Sequence, residues 1–177
     1  IRYSESDVRS MGRTAMGVKG MDLNDGDYVI DTERLKEDAD VLTISEKGYG
    51  KRTPAGEYRV QTRGGKGILT MHITEKTGSL VALKVVSGEE DLVMINSEGV
   101  IIRIGTDEIS RLSRNTQGVI LMKVEDGGYI VSVARARKDD EEDGEEDAVP
   151  HQDHSLERLL DRAEEPDDGK GDDPDKG

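Results

Sequence analysis

Arg9, Arg13 and Lys19 flank a turn at Gly17, and Arg59, Arg63 and Lys66 flank Gly64-Gly65. Arg111 and Arg114 precede Gly118, while Lys51-Arg52 and Arg103 end two further strand-and-turn segments. Guanidinium and ammonium groups beside glycine amides suit an oxyanion, met at once by charge and by N–H donors that no side chain shields. Repetition of the pattern suits a regular polyanion, and duplex DNA carries one negative charge per ~1.7 Å of its axis. Contacts of that type go to the backbone and are independent of base sequence. The competing reading is plainer: solvated charges at strand ends, matched by acids elsewhere. Charge alone leaves the two level; recurrence beside glycine favours the oxyanion.

The chain as a whole is acidic, with a net charge of −14 and a pI near 4.7. That total misleads, because residues 139–177 hold 18 Asp and Glu against Arg158, Arg162, Lys170 and Lys176. Residues 1–138 hold 21 basic and 21 acidic residues, so local clustering decides what the body binds. The sequence therefore divides into a neutral domain, 1–138, and an acidic tail, 139–177. The tail has too little apolar surface to offset ordering entropy and is expected to be disordered, apart from a short helical turn at 155–163 that Ser155 could cap. It either competes with a polyanionic ligand for the basic residues or only solubilises.

The elements that must position the basic residues are read from internal repetition. Residues 40–52 (DVLTISEKGYGKR) match 91–103 (DLVMINSEGVIIR) at an offset of 51, each reading as strand, tight turn, strand. A second family occurs at 8–21, 55–68 and 109–122, with offsets of 47 and 54. A period near 50 with short β-branched runs between glycine turns is the signature of blades in a propeller-like array. Alternation predicts strands at 26–31, 41–45, 80–86, 92–95, 100–104, 119–124 and 129–134. Residues 32–39 read as a charged loop. The fold class is all-β, built from antiparallel blades. With no Phe, Trp or Cys, the core must be aliphatic, and Met11, Met16, Met21, Met71, Met94 and Met122 read as core filling.

Several chemistries are excluded. The absence of Cys removes disulfides and thiolate metal sites. The Gly-Gly-Lys-Gly run lacks the spacing of an ATP phosphate loop. His151 and His154 lie in the acidic tail, where nothing preorganises a metal site, so no metal is assigned; His72 reads as a strand residue. No signal peptide or apolar run of ~18 residues is present, and the reading is cytoplasmic, without a membrane partner. With no initiator Met, the chain reads as a piece of something longer.

Gln61-Thr62-Arg63-Gly64-Gly65-Lys66-Gly67 resembles the glycine-rich box of DNA gyrase A subunits, usually Q-R-R-G-G-[KR]-G. Thr62 departs from the usual Arg, which suggests a degenerate copy, with the principal box upstream. Ser4-Glu5-Ser6-Asp7-Val8-Arg9, Gly48-Tyr49-Gly50-Lys51-Arg52-Thr53 and Arg114-Asn115-Thr116-Gln117-Gly118-Val119 look like later blades of the same domain. The resemblance covers 1–138 and extends to the acidic tail. It implies a six-bladed β-pinwheel that wraps double-stranded DNA, with about three blades here. It also implies an A-subunit dimer and a B subunit in an ATP-hydrolysing type II topoisomerase that uses ATP and magnesium elsewhere and acts at the chromosome. None of Tyr3, Tyr28, Tyr49, Tyr58 or Tyr129 lies in a sequence like that family's cleavage site. The alternatives are the related subunit of topoisomerase IV and a propeller that binds proteins, though the latter usually relies on aromatic anchors.

Overall fold

Each of the two matching hairpins forms the basis of an antiparallel sheet. The computed structural model describes residues 1–138; the tail, with the turn anticipated at 155–163 and His151 and His154, lies outside the described residues. Strands β1 (Asp40–Ser45) and β2 (Tyr49–Pro54) form the first hairpin, and β4 (Glu90–Asn96) and β5 (Ile101–Gly105) the second. Their turns contain Gly48 and Gly99 at φ 76° and 82°, a region that only glycine enters without strain. Each hairpin then gains a third strand beside its first: β3 (Leu80–Val86) pairs with β1, and β7 (Ile130–Arg137) pairs with β4. Both pairings carry a register shift at the same repeat position, Ile44/Ser45 and Ile95/Asn96.

The sheets are locked by exchange. β6 (Val119–Ile120), from the third repeat, pairs antiparallel with Tyr49 and Gly50 of the second, giving the order β3-β1-β2-β6 beside β5-β4-β7. Leu121 and Met122 extend the clasp by donating their N–H groups to the Gly48 carbonyl at 2.8 and 3.3 Å. One core spans both sheets: Leu42, Ile44, Ala82 and Val86 meet Leu92, Met94, Ile109, Met122 and Ile130. Burying one such side chain contributes about 1.5–3 kcal/mol, which is what an aliphatic core must rely on.

A third repeat is visible in the turns. Short 3-10 turns occur at Glu5–Asp7, Ala55–Glu57 and Thr106–Glu108, each followed by a residue in extended backbone: Val8, Tyr58 and Ile109. The isolated parallel bridges Arg2↔Val60 and Arg52↔Arg111 keep the same spacing. The second segment family therefore begins at 8, 58 and 109 rather than at 8, 55 and 109, and its offsets of 50 and 51 match the 51 of the hairpins to within one residue. Sequence matching alone aligns Ala55, which belongs to the turn.

The first repeat carries turn and loop but no sheet. Residues 26–31, predicted as a strand, are irregular, with Tyr28 and Val29 73% and 58% exposed. They match the start of β3 and β7, which pair with the first strands of their hairpins, and have no such partner among the described residues. The run 119–124 keeps only two strand residues because it serves as a clasp. Residues 32–39 are a loop, as expected. Met71, Met94 and Met122 are buried, whereas Met16 stands fully exposed at a loop tip. His72 is exposed and outside any strand.

Candidate nucleic-acid interface

Three loops share one repeat position: Arg13-Thr14-Ala15-Met16-Gly17, Arg63-Gly64-Gly65-Lys66-Gly67 and Arg114-Asn115-Thr116-Gln117-Gly118. Their last glycines have φ of 84°, 83° and 81°, so one left-handed residue ends each loop. Packing adds a second reason at Gly118, where a Cβ would lie 2.5 Å from the Gly50 carbonyl oxygen. Glycine in these loops thus serves turn geometry and close approach of neighbouring repeats. The Gly64 amide, anticipated as a bare donor, donates to the Gly20 carbonyl at 2.9 Å, and Gly65 accepts from the Asp22 N–H at 2.9 Å.

The arginines that open the second and third loops have a structural task. Arg63 donates to the Lys19 carbonyl and, at 3.1 Å, to that of Asp7; Arg114 donates to the Leu69 carbonyl at 2.5 Å, while its N–H reaches Glu57 at 3.0 Å. Both tether a loop to the repeat before it. Arg13 holds the same position in the first repeat and has no hydrogen bond or ion pair among the described residues.

Lys51 departs furthest from expectation. The sequence places it on the surface with Arg52, yet it is fully buried. Its ammonium donates to the carbonyls of Ser113 and Arg114 at 2.6 Å and Thr116 at 3.0 Å, and to the Thr116 hydroxyl at 3.2 Å. It pins the third loop from inside, with its ammonium engaged by protein oxygens rather than presented at the surface. Arg52 likewise bonds the carbonyls of Ile109 and Asp107 at 2.9 and 3.0 Å, with Asp40 3.6 Å away. Arg103 pairs with Asp91 at 2.7 Å, and the more exposed Arg111 with Asp40 at 3.0 Å.

Burial pushes the Lys51 ammonium down to about 8, against a rise from Glu57. A lysine whose folded value lies below its unfolded one binds fewer protons when folded, so stability climbs with pH between about 8 and the unfolded value of about 10.4. Lys51→Met is expected to cost about 3 kcal/mol at neutral pH, because buried carbonyls lose their donor. Denaturant titrations of both chains from pH 7 to 10 check this. The gap between them should widen as pH rises past 8, since only the wild type carries this titration.

Of the basic residues beside the loops, Arg9, Arg13 and Arg59 are exposed and unpartnered among the described residues. Arg9 and Arg59 occupy one repeat position, each immediately after the residue that closes a 3-10 turn. Lys19 and Lys66 are also exposed but converge on Asp22, and Lys66 bonds Asn24 at 2.8 Å. Gln61 donates its backbone N–H to the Arg2 carbonyl at 2.8 Å, and Thr62 is exposed. Sequence reasoning passes over Asp22 and Asp40. Lys19 and Asp22, three residues apart, give a local hint; Asp40 and Arg111 are too distant in sequence to give one.

The described residues contain no group of three or more His, Asp or Glu placed to hold a metal ion, and no helix long and apolar enough to cross a membrane. A family model described as DNA gyrase C-terminal domain, beta-propeller, matches residues 1–36, 39–87 and 90–137, one segment per repeat. The DNA gyrase A protein of Staphylococcus epidermidis is 48% identical over 143 residues, 80% of this chain and 16% of that protein. Its counterpart in Staphylococcus aureus (strain MRSA252) is 44% identical over 149 residues, covering 83% of this chain and 17% of its own. The chain thus spans about a sixth of these relatives. A solved structure of a DNA gyrase A C-terminal domain superposes with a TM-score of 0.70 at 27% identity, covering 76% of this chain and 46% of that one. The C-terminal domain of a DNA topoisomerase IV reaches the same TM-score at 23% identity, covering 76% and 42%, and speaks for the fold alone. With its three repeats each matched in turn, the chain belongs to the DNA gyrase C-terminal domain β-propeller family.

Proposed function

We propose that this chain binds duplex DNA through the basic side chains beside its repeated loops and contributes to wrapping it, as part of a DNA gyrase A protein. The observation that carries the reading is the pair Arg9 and Arg59, exposed, unpartnered among the described residues and at one repeat position, each a few residues ahead of a repeated glycine loop. A cation with no internal partner has none to give up on meeting a phosphate, and the same side chain in two successive repeats suits a backbone track rather than base readout. The parent enzyme is then a type II topoisomerase, working in the cytoplasm on the chromosome. DNA cleavage and ATP hydrolysis, with their magnesium, belong to the rest of an assembly containing an A-subunit dimer and B subunits. Gyrase rather than topoisomerase IV is favoured by the relatives at 44–48% identity.

Binding of the chain, with and without residues 139–177, to a short and a long duplex across a salt series tests this. Affinity should fall steeply with salt and favour the longer duplex, which can bend around the protein. Affinity that ignores salt, or no binding even without the tail, sinks the proposal. An unchanged affinity and slope on removing the tail would dismiss it as a competitor of DNA.

A further inference from the structure

Asp22 lies where the glycine-rich loop meets the repeat before it. Its backbone N–H donates to Gly65, and the equivalent bond in the next repeat runs from the His72 N–H to Thr116 at 3.2 Å. The matching position in the third repeat is Lys123, exposed and without a partner among the described residues. One structural position therefore carries an acid, a histidine and a lysine in successive repeats. Only the acid faces the most basic loop. Its two carboxylate oxygens take the two lysines separately, Lys19 on one and Lys66 at 3.1 Å on the other, and both lysine side chains are 61% exposed.

We propose that Asp22 acts as a built-in competitor of DNA phosphate at this loop, holding Lys19 and Lys66 until a duplex displaces it. The inference rests on the DNA-binding reading above. A carboxylate and a phosphate oxygen make equivalent charge-assisted bonds to an ammonium. An exposed ion pair is worth little in water, so exchange costs little and the carboxylate tunes affinity without blocking it. Hydrogen bonds from Lys19 and Lys66 hold the carboxyl below the usual carboxylate range, so it stays charged at neutral pH. The repeat with the most lysine beside its loop is thereby made a weaker contact than its composition implies.

The test is duplex binding by the whole chain and its Asp22→Asn variant across a salt series, with Asp25→Asn as control. Asp25 is exposed in the same loop and has no partner among the described residues, so it reports the general effect of removing one negative charge. Asp22→Asn should tighten binding roughly three- to tenfold at low salt and steepen the log–log salt slope by about 1, well beyond Asp25→Asn. Asp22→Lys, which copies Lys123, should tighten it further. The excess of Asp22→Asn over Asp25→Asn should vanish when Lys19 and Lys66 are also replaced by Ala, as a double-mutant cycle requires of a direct coupling. A gain equal to that of Asp25→Asn, an excess over it that survives loss of both lysines, or weaker binding overturns the proposal. If the wild type binds and Asp22→Asn matches it, only the competitor idea falls; if neither binds, the DNA reading falls with it.

Discussion

Gly48→Ala should destabilise the chain by about 4 kcal/mol or more, whereas Gly99→Ala, at the same turn position one repeat later, should cost about 1 kcal/mol. Both glycines have positive φ, 76° and 82°, so both variants force an L residue into left-handed backbone at about 1–2 kcal/mol. They differ in what a Cβ meets. At Gly99 nothing lies within 4 Å; at Gly48 the Cβ would overlap the Met122 carbonyl oxygen and stand 3.0 Å from its carbon. That oxygen is main chain in the clasp, so it retreats only if β6 does. Retreat also strains the Leu121 and Met122 N–H bonds to the Gly48 carbonyl and lifts Met122 from the core. The difference between the variants thus measures the clasp, with turn strain cancelled. Chemical denaturation of the two, side by side, is the measurement, and equal midpoints would mean that the exchanged strand contributes little.

The same comparison shows which parts of the fold are legible in one dimension. The hairpins are, because alternation and glycine turns are local, and a match over thirteen consecutive positions repeats both. β3 is predicted at its observed limits because Leu80–Val86 is apolar and bounded by Gly78 and Gly88. Residues 26–31 have the same look and make no strand, since strand formation depends on a partner and not only on pattern. Lys51 marks the deeper limit. Beside Arg52 at a strand end it reads as surface charge, yet its ammonium is taken up by the loop at 113–116, some sixty residues on, which presents three carbonyls to it. Charge type gives the sequence reader a default of exposure, and a neighbouring repeat overrides it. The loop arginines show the same override: Arg63 and Arg114 read as free charges, and the preceding repeat engages both through its backbone carbonyls.

That sorting of the basic residues yields the second large effect. Replacing Arg9, Arg13 and Arg59 together by Ala should lower duplex affinity by more than two decades near 0.1 M salt and make the log–log salt slope shallower by about 2.7. Each phosphate contact adds about 0.9 to that slope through counterion release, so three contacts account for both figures. These side chains are exposed and make no bond within the described residues, so their loss should leave stability within about 0.5 kcal/mol of wild type. A matched triple at Arg52, Arg63 and Arg114 separates the two roles that positive charge has here. Those guanidiniums bond to backbone carbonyls of other segments, so their loss should first appear as instability and only through it as weaker binding. If both triples weaken binding equally at a temperature where both are folded, the tethering arginines also touch phosphate. If the exposed triple leaves the slope unchanged, Arg9, Arg13 and Arg59 are solvated strand-end charges after all, and the DNA track runs over another face of the repeats.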